Sequence, residues 1–198
     1  MVGITFGHCS ARQAMDDALK LSLERQAVEK CRAGVKDEYH VIVSLHSTAL
    51  FRTAFGITRD YALSEDVVQD TFIRAWKKFN SFQPNSSLRN WLTRILVNRI
   101  IDLGRRKQLP TVDITAASQK PSPVGGPEES LMSLDDRRRL DTAIATLSAE
   151  QRVVVVLRFY EQLSVPEIAS STGWREGTVK SRLSRAMNTL RDTMGGAS

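Results

Sequence analysis

Apolar residues recur along most of this chain at the three- and four-residue spacing of amphipathic helices. Long periodic segments alternate with short turns, and only the stretch from Val153 to Val156 has the composition of a strand. Because those valines continue into Leu157 and Phe159, we interpret the stretch as part of a buried helix. The pattern predicts an all-α fold class, with a partly helical N-terminal extension at residues 1–35 and two small helical domains at 36–108 and 133–193.

Residues 109–132 interrupt this periodicity. They are rich in serine and threonine and contain Pro110, Pro121, Pro123, Gly125, Gly126 and Pro127. Such a composition predicts a linker between domains. From Leu109 to Asp136 the chain carries five acidic residues and one lysine, a local charge of −4. We therefore expect a flexible acidic linker to join the two domains.

A helix is predicted from Ser64 to Phe79, with the serine as its N-cap, acidic residues in its first turn and lysines at its end. The helical period places Val68, Phe72, Ala75 and Phe79 on one buried line. The opposite face is polar apart from one isoleucine and consists of Asp66, Gln69, Asp70, Ile73 and Arg74. It resembles an interface hot spot inside a polar rim. Taken alone, however, a solvated face with a stray isoleucine explains it more simply.

A turn-rich loop at 80–87, with an aromatic that we expect to be exposed, precedes a helix at 88–106 that is apolar on most sides. One narrow polar stripe runs along that helix and includes Trp91, Asn98 and Asp102. Aromatic rings stack on unpaired bases, amides read base edges and arginines hold phosphates. The candidate base-capturing residues are Phe82, Gln83, Asn85, Ser86, Trp91, Arg94, Asn98 and Arg105. An internal network of Asn98, Asp102 and arginines fits the stripe equally well.

Residues 147–187 have the pattern of a helix-turn-helix. Ser148 and Ser164 are predicted N-caps, Pro166 lies in a first turn, and Gly173 takes the left-handed turn before a second helix that begins near Glu176. Its buried line comprises Val179, Leu183, Ala186 and Leu190. The candidate groove-reading residues are Arg175, Thr178, Lys180, Ser181, Arg182, Ser184 and Arg185. Arg182 lies nearest the buried edge, so we assign it to phosphate binding or to pairing within the protein.

Charge supports a polyanionic partner. The 198 residues carry a net charge of +6, and the pI is near 9.6. The stretch from Leu88 to Gln108 has a local charge of +5 and that from Trp174 to Arg191 a local charge of +4, so the remainder is slightly acidic. Two separated basic patches fit a nucleic acid contacted at two places. On charge alone, two solvated helix faces would be the simpler explanation.

The cysteines and the apolar runs indicate a reduced, non-membrane setting. Cys9 and Cys31 are far apart and lack metal-ligand spacing, and a zinc site combining them with His8, His40 and His46 would have no paired Cys or His unit. We predict no metal and no cofactor. We expect no apolar run to approach the roughly 18 residues of a membrane span, and the start lacks the pattern of a signal peptide. We therefore expect no membrane insertion and a cytoplasmic location.

Four segments resemble the extracytoplasmic-function sigma factors of bacterial RNA polymerase. Residues 63–76 and 88–102 resemble their region 2, and 147–152 and 177–186 resemble their region 4. The likeness covers 36–108 and 133–193, in the family's order and with no region 3 between them. It implies a non-enzymatic transcription initiation factor that binds core RNA polymerase and promoter DNA, and for which an anti-sigma factor is a usual partner.

The resemblance also implies roles for the candidate residues. The face of Asp66, Gln69, Asp70, Ile73 and Arg74 would dock on the clamp helices of the polymerase's largest subunit. The 80–87 loop and the Asn98 stripe would capture non-template bases of the −10 element. Lys180, Ser181, Ser184 and Arg185 would read the −35 element, with region 4 near the polymerase flap. The linker would pass through the channels that RNA later occupies.

Two departures and two rival interpretations stand beside this resemblance. Arg175 occupies a position where the family commonly has a small cap or turn former, and the first 35 residues exceed the family's usual start. The turn at 177–182 also resembles response-regulator output domains, so the alternative is a LuxR-like helix-turn-helix regulator that does not bind the polymerase. Residues 1–108 lack the alternating strand and helix pattern of a phosphoacceptor domain. An enzyme is a third class, without paired carboxylates, an activated nucleophile or a phosphate loop to support it.

Overall fold

The computed structural model describes residues 11–83, 86–105 and 134–195. Over these ranges the chain forms helices and no strand, which confirms the all-α prediction. The α-helices are α1 (Ala11–Arg32), α2 (Tyr39–Thr58), α3 (Tyr61–Lys77), α4 (Leu88–Arg105), α5 (Leu134–Thr146), α6 (Ala149–Val155), α7 (Val165–Thr172) and α8 (Glu176–Gly195). Short 3₁₀ turns occupy Lys36–Glu38 and Phe79–Ser81, and a π-helical turn spans Val156–Tyr160. The predicted linker, 109–132, lies outside the described residues, and the domain boundaries stay predictions.

Packing divides the chain into two units, residues 1–48 and 49–198. In the first unit, an ion pair and a histidine–carboxylate contact join α1 to the residues that follow it. Nζ of Lys30 lies 2.8 Å from the Glu38 carboxylate, and Nε2 of His46 lies 2.9 Å from that of Glu24. The C-terminal turns of α1 are buried at Ala27, Val28 and Cys31. Its N-terminal turns leave apolar side chains exposed at Met15, Leu19, Leu21 and Leu23.

The stretch Lys36–Thr58, the first 3₁₀ turn together with α2, is long and apolar enough to cross a membrane by length and composition alone. The expectation that no apolar stretch approaches this length is wrong here, because the few polar side chains within the stretch leave its mean hydropathy high. Half of its most apolar window is buried inside the protein. The core helix of a water-soluble protein passes the same test. Buried positions recur along α2 at Ile42, Leu50, Ala54 and Ile57.

Helix α3 begins earlier than the sequence pattern predicts. Its N-cap is Asp60, whose carboxylate accepts a hydrogen bond from the Leu63 backbone N–H at 3.0 Å. Ser64, the predicted cap, lies fully buried within the helix, where its hydroxyl donates to the Asp60 carbonyl. The prediction of a cap at Ser64 is wrong because Asp60 supplies one a turn earlier. The predicted buried line of Val68, Phe72, Ala75 and Phe79 is confirmed.

Capping boxes begin both α6 and α7. In α6 the Ser148 hydroxyl accepts from the Gln151 N–H, and the Gln151 side chain accepts from the Ser148 N–H. Ser164 and Glu167 form the same arrangement at α7. Gly173 ends α7 with a left-handed φ of 72°, which glycine adopts at little cost. The predicted caps and the glycine turn of the helix-turn-helix are confirmed, and α8 begins where the sequence predicts.

The valine-rich stretch is helical, as predicted, with Val153, Val154 and Leu157 buried. Phe159 is 59% exposed, so the prediction that it joins the buried line is wrong. At 100° per residue, Phe159 lies about 200° around the helix from the buried Leu157, so the helical period itself places its side chain on the outward side.

Candidate nucleic-acid and docking interfaces

The polar face predicted on α3 is exposed at Asp66, Gln69, Ile73 and Arg74. Ile73 keeps 55% of its surface accessible. Asp70 lies half-buried at the edge of this face, where its carboxylate accepts from Nε of Arg74 at 3.0 Å and lies 2.6 Å from Nε of Arg99 on α4. An exposed apolar side chain among polar ones has the composition of an interface hot spot. Through its contact with Arg99, Asp70 also connects α3 to α4.

Phe82 is buried, with 2% of its surface accessible, so the prediction that its ring is exposed in the 80–87 loop is wrong. Its ring centroid lies 5.3 Å from that of Trp91 and 6.4 Å from that of Phe79. Trp91 meets Phe79 edge-on at 6.4 Å. The ring is buried because it packs into this aromatic cluster. Removing a phenylalanine ring from water lowers the free energy of the folded protein, whereas exposing it in a polar loop would not. Phe82 thus supports the loop from beneath.

The loop itself remains polar at its surface. Gln83 and Ser86 are exposed, and the Gln83 carbonyl accepts from the backbone N–H and the hydroxyl of Ser86 at 2.9 and 2.7 Å. Asn85, another candidate, lies outside the described residues. The loop leads into α4, whose N-terminal Asn90 N–H donates to the Ser87 hydroxyl at 3.3 Å. Exposed amides and hydroxyls therefore stand beside the aromatic cluster.

The polar stripe on α4 faces solvent. Arg94, Asn98, Asp102 and Arg105 are exposed, while Trp91 is half-buried. The rest of the helix is buried at Leu88, Leu92, Thr93, Leu96, Val97, Ile100 and Leu103. Among the described residues, no hydrogen bond or ion pair joins Asn98 to Asp102 or to Arg94. The stripe therefore offers an amide and two guanidinium groups to a ligand, beside the half-buried Trp91.

Helix α8 presents a small-residue basic face opposite a buried line. Val179 and Ala186 are fully buried, and Leu183 and Leu190 are half-buried. The exposed residues opposite them are Arg175, Lys180, Ser181, Ser184 and Arg185, with Thr178 half-buried at the edge. Short hydroxyl side chains between cations allow close approach of a helix to base edges in a major groove. The predicted groove-reading face is thus accessible.

Arg182 is turned away from that face. Its guanidinium carbon lies 3.8 Å from the centroid of the Trp174 ring, and its NH2 lies 2.8 Å from the Glu150 carboxylate on α6. Only 19% of the Arg182 side chain is accessible. Of the two roles that the sequence left open, pairing within the protein is the one the structure contains. Trp174 and Glu150 were not singled out by sequence reasoning, although an aromatic directly after the Gly173 turn is a signal that could have drawn attention to them.

Sequence reasoning also missed a set of buried charged residues. The Arg152 side chain, 6% exposed as a residue, reaches two backbone carbonyls, and the Glu161 carboxylate, 2% exposed, accepts from Arg89. Each has a partner far away in sequence, Ile57 for Arg152 and Arg89 for Glu161, so no local spacing indicates them. Within the described ranges, no cluster of three or more His, Cys, Asp and Glu side chains has the arrangement of a metal site.

Comparison with known families matches two parts of the chain. Residues 42–109 match the family described as sigma-70 region 2, and residues 137–190 match that described as sigma-70, region 4. The chain is 36% identical over 150 residues to the ECF RNA polymerase sigma factor SigL of Mycobacterium tuberculosis, covering 75% of this chain and 84% of the relative. It is 28% identical over 176 residues to the ECF RNA polymerase sigma factor SigW of Bacillus subtilis, covering 84% and 94%.

Two solved structures share the fold. One is CnrH in complex with the cytosolic domain of CnrY, with a TM-score of 0.60, 25% identity and coverage of 89% of this chain and 99% of that one. The other is the sigma factor RpoE in complex with the anti-sigma factor NepR from Bartonella quintana, with a TM-score of 0.61, 29% identity and coverage of 81% and 99%.

Proposed function

The chain belongs to the extracytoplasmic-function (ECF) sigma factors of RNA polymerase, and we propose how its own residues perform the work of that family. It is a transcription initiation factor that directs core RNA polymerase to promoters. The LuxR-like alternative is not favoured, because region 2 and region 4 both match and together cover most of the chain. The observation that carries the residue assignments is that two polar faces, on α4 and α8, stay exposed on helices that are otherwise packed.

We assign docking on the polymerase to the α3 face. Asp66, Gln69, Ile73 and Arg74 supply an apolar centre with a polar rim, and the family resemblance points to the clamp helices as the surface it meets. Asp70 belongs to this face and acts in a second way, because two arginines hold its carboxylate. Its replacement would therefore loosen the α3–α4 contact as well as the docking face.

We assign capture of the −10 element to the 80–87 loop and the α4 stripe. Gln83, Ser86 and Asn98 offer hydrogen-bonding groups for base edges, and Asn85 belongs with them from the sequence. Arg94 and Arg105 are placed to hold phosphates, and the half-buried Trp91 offers an aromatic ring for stacking. We assign Phe82 to the support of this surface rather than to base contact, because its ring is buried.

Reading of the −35 element falls to α8. Lys180, Ser181, Ser184 and Arg185 face outward and would enter the major groove, with Arg175 and Thr178 at the N-terminal end of the helix near the DNA backbone. Arg182 is a positioning residue that fixes α8 against Glu150 of α6 and the ring of Trp174.

The setting and partners follow the family. We infer that the protein works in the cytoplasm, where core polymerase and promoter DNA are found, and has no catalytic activity of its own. We also infer that an anti-sigma factor controls it, since RpoE was solved in complex with the anti-sigma factor NepR and CnrH with the cytosolic domain of CnrY. The exposed basic faces of α4 and α8 are the surfaces that such an inhibitor would cover.

A transcription assay with core polymerase tests the function, and one pair of variants tests the docking face. Ile73→Glu places a charge at the centre of the α3 face, while Leu21→Glu makes the same change at a residue on α1 with 56% exposure against 55%. We expect Ile73→Glu to weaken binding to core polymerase by about 30-fold, the effect of losing a hot-spot residue, and Leu21→Glu to leave it unchanged. Equal binding by both variants would remove the docking assignment. Duplex binding by the wild type without any polymerase binding would restore the LuxR-like interpretation.

A further inference from the structure

A buried guanidinium on α6 has no carboxylate to balance its charge. Arg152 is 6% exposed, and it donates from Nε to the Ile57 carbonyl at 2.6 Å and from Nη1 to the Leu147 carbonyl at 2.7 Å. A guanidinium has five N–H donors, so these bonds use two of them. Among the residues that the structure describes, no Asp or Glu side chain forms an ion pair with Arg152. Carbonyl dipoles carry only partial charges, and a buried charge without an ionic partner is costly.

Two acidic residues of region 4 pair with other arginines. The Asp141 carboxylate lies 3.2 Å from Nη1 of Arg59, and the Glu150 carboxylate lies 2.8 Å from Nη2 of Arg182. Burial, followed by the positive charge of Arg59, lowers the pKa of Arg152. Both effects oppose the charged form of Arg152, and a nearby anion would favour that form. The described residues do not supply such an anion.

Arg152 lines a cavity of about 900 Å³. Small-molecule sites in proteins are typically clefts of about 300–1,000 Å³ with mostly apolar walls and a few polar groups. The apolar wall of this cavity includes side chains from α4, α5, α6 and the turn before α8, namely Ile100, Ile101, Ala145, Val153 and Trp174. The cavity therefore has the volume and the wall composition of a site for a small organic molecule.

The charges around the cavity favour an anion. Its charged lining residues are three arginines and one acid, Arg105, Arg152, Arg182 and Glu150. Since Glu150 pairs with Arg182, the surplus positive charge belongs to the exposed Arg105 and the buried Arg152. A charge removed from water attracts an opposite charge more strongly than an exposed one does, because less solvent screens it. The planar guanidinium also matches a carboxylate, to which it can donate two parallel hydrogen bonds.

We propose that this cavity is a binding site for a small organic anion, a carboxylate carried on an apolar body, and that Arg152 pairs with the carboxylate. The apolar body lies against the wall that contains Ile100, Ile101 and Trp174. A carboxylate fits better than a doubly charged phosphate monoester, because the buried Arg152 carries a single positive charge. The existence of this site does not depend on the proposed function.

A matched pair of ligands tests this chemistry on the full wild-type chain. The two probes, 2-naphthoate and 2-naphthamide, have nearly the same shape, but only 2-naphthoate is charged at neutral pH. In isothermal titration calorimetry we expect 2-naphthoate to bind at one site per chain, at least about 10-fold more tightly than 2-naphthamide. Absence of 2-naphthoate binding, or equal binding of the two probes, overturns the proposal. Tighter binding of 2-naphthyl phosphate than of 2-naphthoate overturns the choice of a carboxylate.

A cavity-filling variant tests the location of the site. Ala145→Phe places a ring in the cavity from α5, where Ala145 is half-buried. Ala18→Phe adds the same ring at an exposed position on α1 that does not line the cavity, and serves as the control. We expect Ala145→Phe to weaken 2-naphthoate binding at least about 10-fold and Ala18→Phe to leave it unchanged. Circular dichroism establishes that both chains are folded. Equal binding by both folded variants overturns the location.

A conservative variant tests the pairing role of Arg152. Arg152→Lys keeps the positive charge but loses the planar fork that holds a carboxylate through two hydrogen bonds. We expect it to weaken 2-naphthoate binding several-fold and to leave 2-naphthamide binding unchanged, whereas a purely structural role would weaken both. Undiminished preference for 2-naphthoate in a folded Arg152→Lys chain overturns the role of Arg152. The ligand pair and Ala145→Phe test the site on chains that retain Arg152, so both tests stand even if Arg152→Lys does not fold.

The site has a consequence for promoter binding, and this consequence rests on the proposed function. Arg105 and Thr178, which we assign to the −10 and −35 elements, both line the cavity. A ligand there and promoter DNA should therefore weaken each other's binding by the same factor. At constant ionic strength, we expect saturating 2-naphthoate to weaken binding of a −35 duplex at least about 5-fold in the wild type and not in Ala145→Phe. Unchanged duplex binding in the wild type overturns the competition. A chain that binds 2-naphthoate but neither duplex nor core polymerase overturns the proposed function and leaves the site established.

Discussion

Replacement of Arg182 by alanine removes the two contacts that hold α8 through this side chain. The cation over the Trp174 ring, at 3.8 Å, contributes about 0.5–2 kcal/mol. The ion pair with Glu150, whose side chain is 62% exposed, contributes only about 0.2–1 kcal/mol because solvent screens it. We therefore expect the free energy of unfolding to fall by about 1–2 kcal/mol, most of it from the loss of the stacked ring.

The effect of this variant on DNA binding separates a positioning role from a contact role. Each phosphate contact contributes about 0.9 to the slope of log affinity against log salt concentration. Because Arg182 faces Trp174, its replacement should leave the slope unchanged and weaken binding equally for matched and mismatched −35 sequences. Lys180→Ala, on the exposed face of α8, should instead reduce the slope by about 0.9.

The assay is fluorescence anisotropy of the full chain with a labelled −35 duplex over a series of salt concentrations, paired with thermal unfolding of the same samples. Trp174→Leu in combination with Arg182→Ala should destabilise less than the sum of the two single changes, since both remove the same contact. A slope that falls in Arg182→Ala as far as in Lys180→Ala, with an unchanged unfolding temperature, would show that Arg182 contacts a phosphate and that the positioning role is wrong.

Three further predictions concern burial and capping. Phe82→Ala should lower the free energy of unfolding by about 3 kcal/mol, measured by urea denaturation. Phe82→Leu, which keeps an apolar side chain there, should retain promoter melting. Loss of melting in a stable Phe82→Leu chain would show that Phe82 contacts a base. Hydrogen bonds from Ser164 lower the pKa of the Glu167 carboxyl, so its contribution is present at neutral pH and is lost as the pH falls below about 4.5; Glu167→Gln should flatten that acid limb of the stability profile, and an unchanged limb would contradict it. Burial, reinforced by the charge of Glu38, raises the pKa of the Cys31 thiol, so iodoacetamide at pH 8 should modify it at least about ten times more slowly than in urea, measured by mass spectrometry in a Cys9→Ser chain; equal rates would show that it is accessible.

The sequence was sufficient to predict those features that depend only on hydrogen bonds within one turn of the chain. The caps at Ser148 and Ser164 and the turn at Gly173 each depend on neighbours within three residues, and the structure confirms them. The same reasoning misplaced the start of α3, because both Asp60 and Ser64 are good caps. The choice between them depends on Ser64 being buried in the core, a property of tertiary packing that the local pattern does not contain.

Positions that depend on distant packing were beyond local reasoning. Phe82 lies in a polar, turn-rich loop, and only the positions of Phe79 and Trp91 in space make its burial favourable. Phe159 continues an apolar run, but it lies about 200° around the helix from the buried Leu157, so a count of the helical period would have predicted its exposure. The partner of Glu161 on α4 is 72 residues away, so its ion pair follows from the packing of α4 on α7 and not from any spacing.

Tertiary packing also determines how many cations of the two basic patches are available to bind DNA. The cations counted in the sequence include three arginines that the structure holds in ion pairs shorter than 3 Å: Arg89 with Glu161 at 2.9 Å, Arg99 with Asp70 at 2.6 Å and Arg182 with Glu150 at 2.8 Å. A guanidinium that is already neutralised by a carboxylate neutralises no DNA phosphate, so it releases none of the cations condensed on the DNA. Salt dependence of promoter binding should therefore follow the exposed cations of α4 and α8 rather than the total charge.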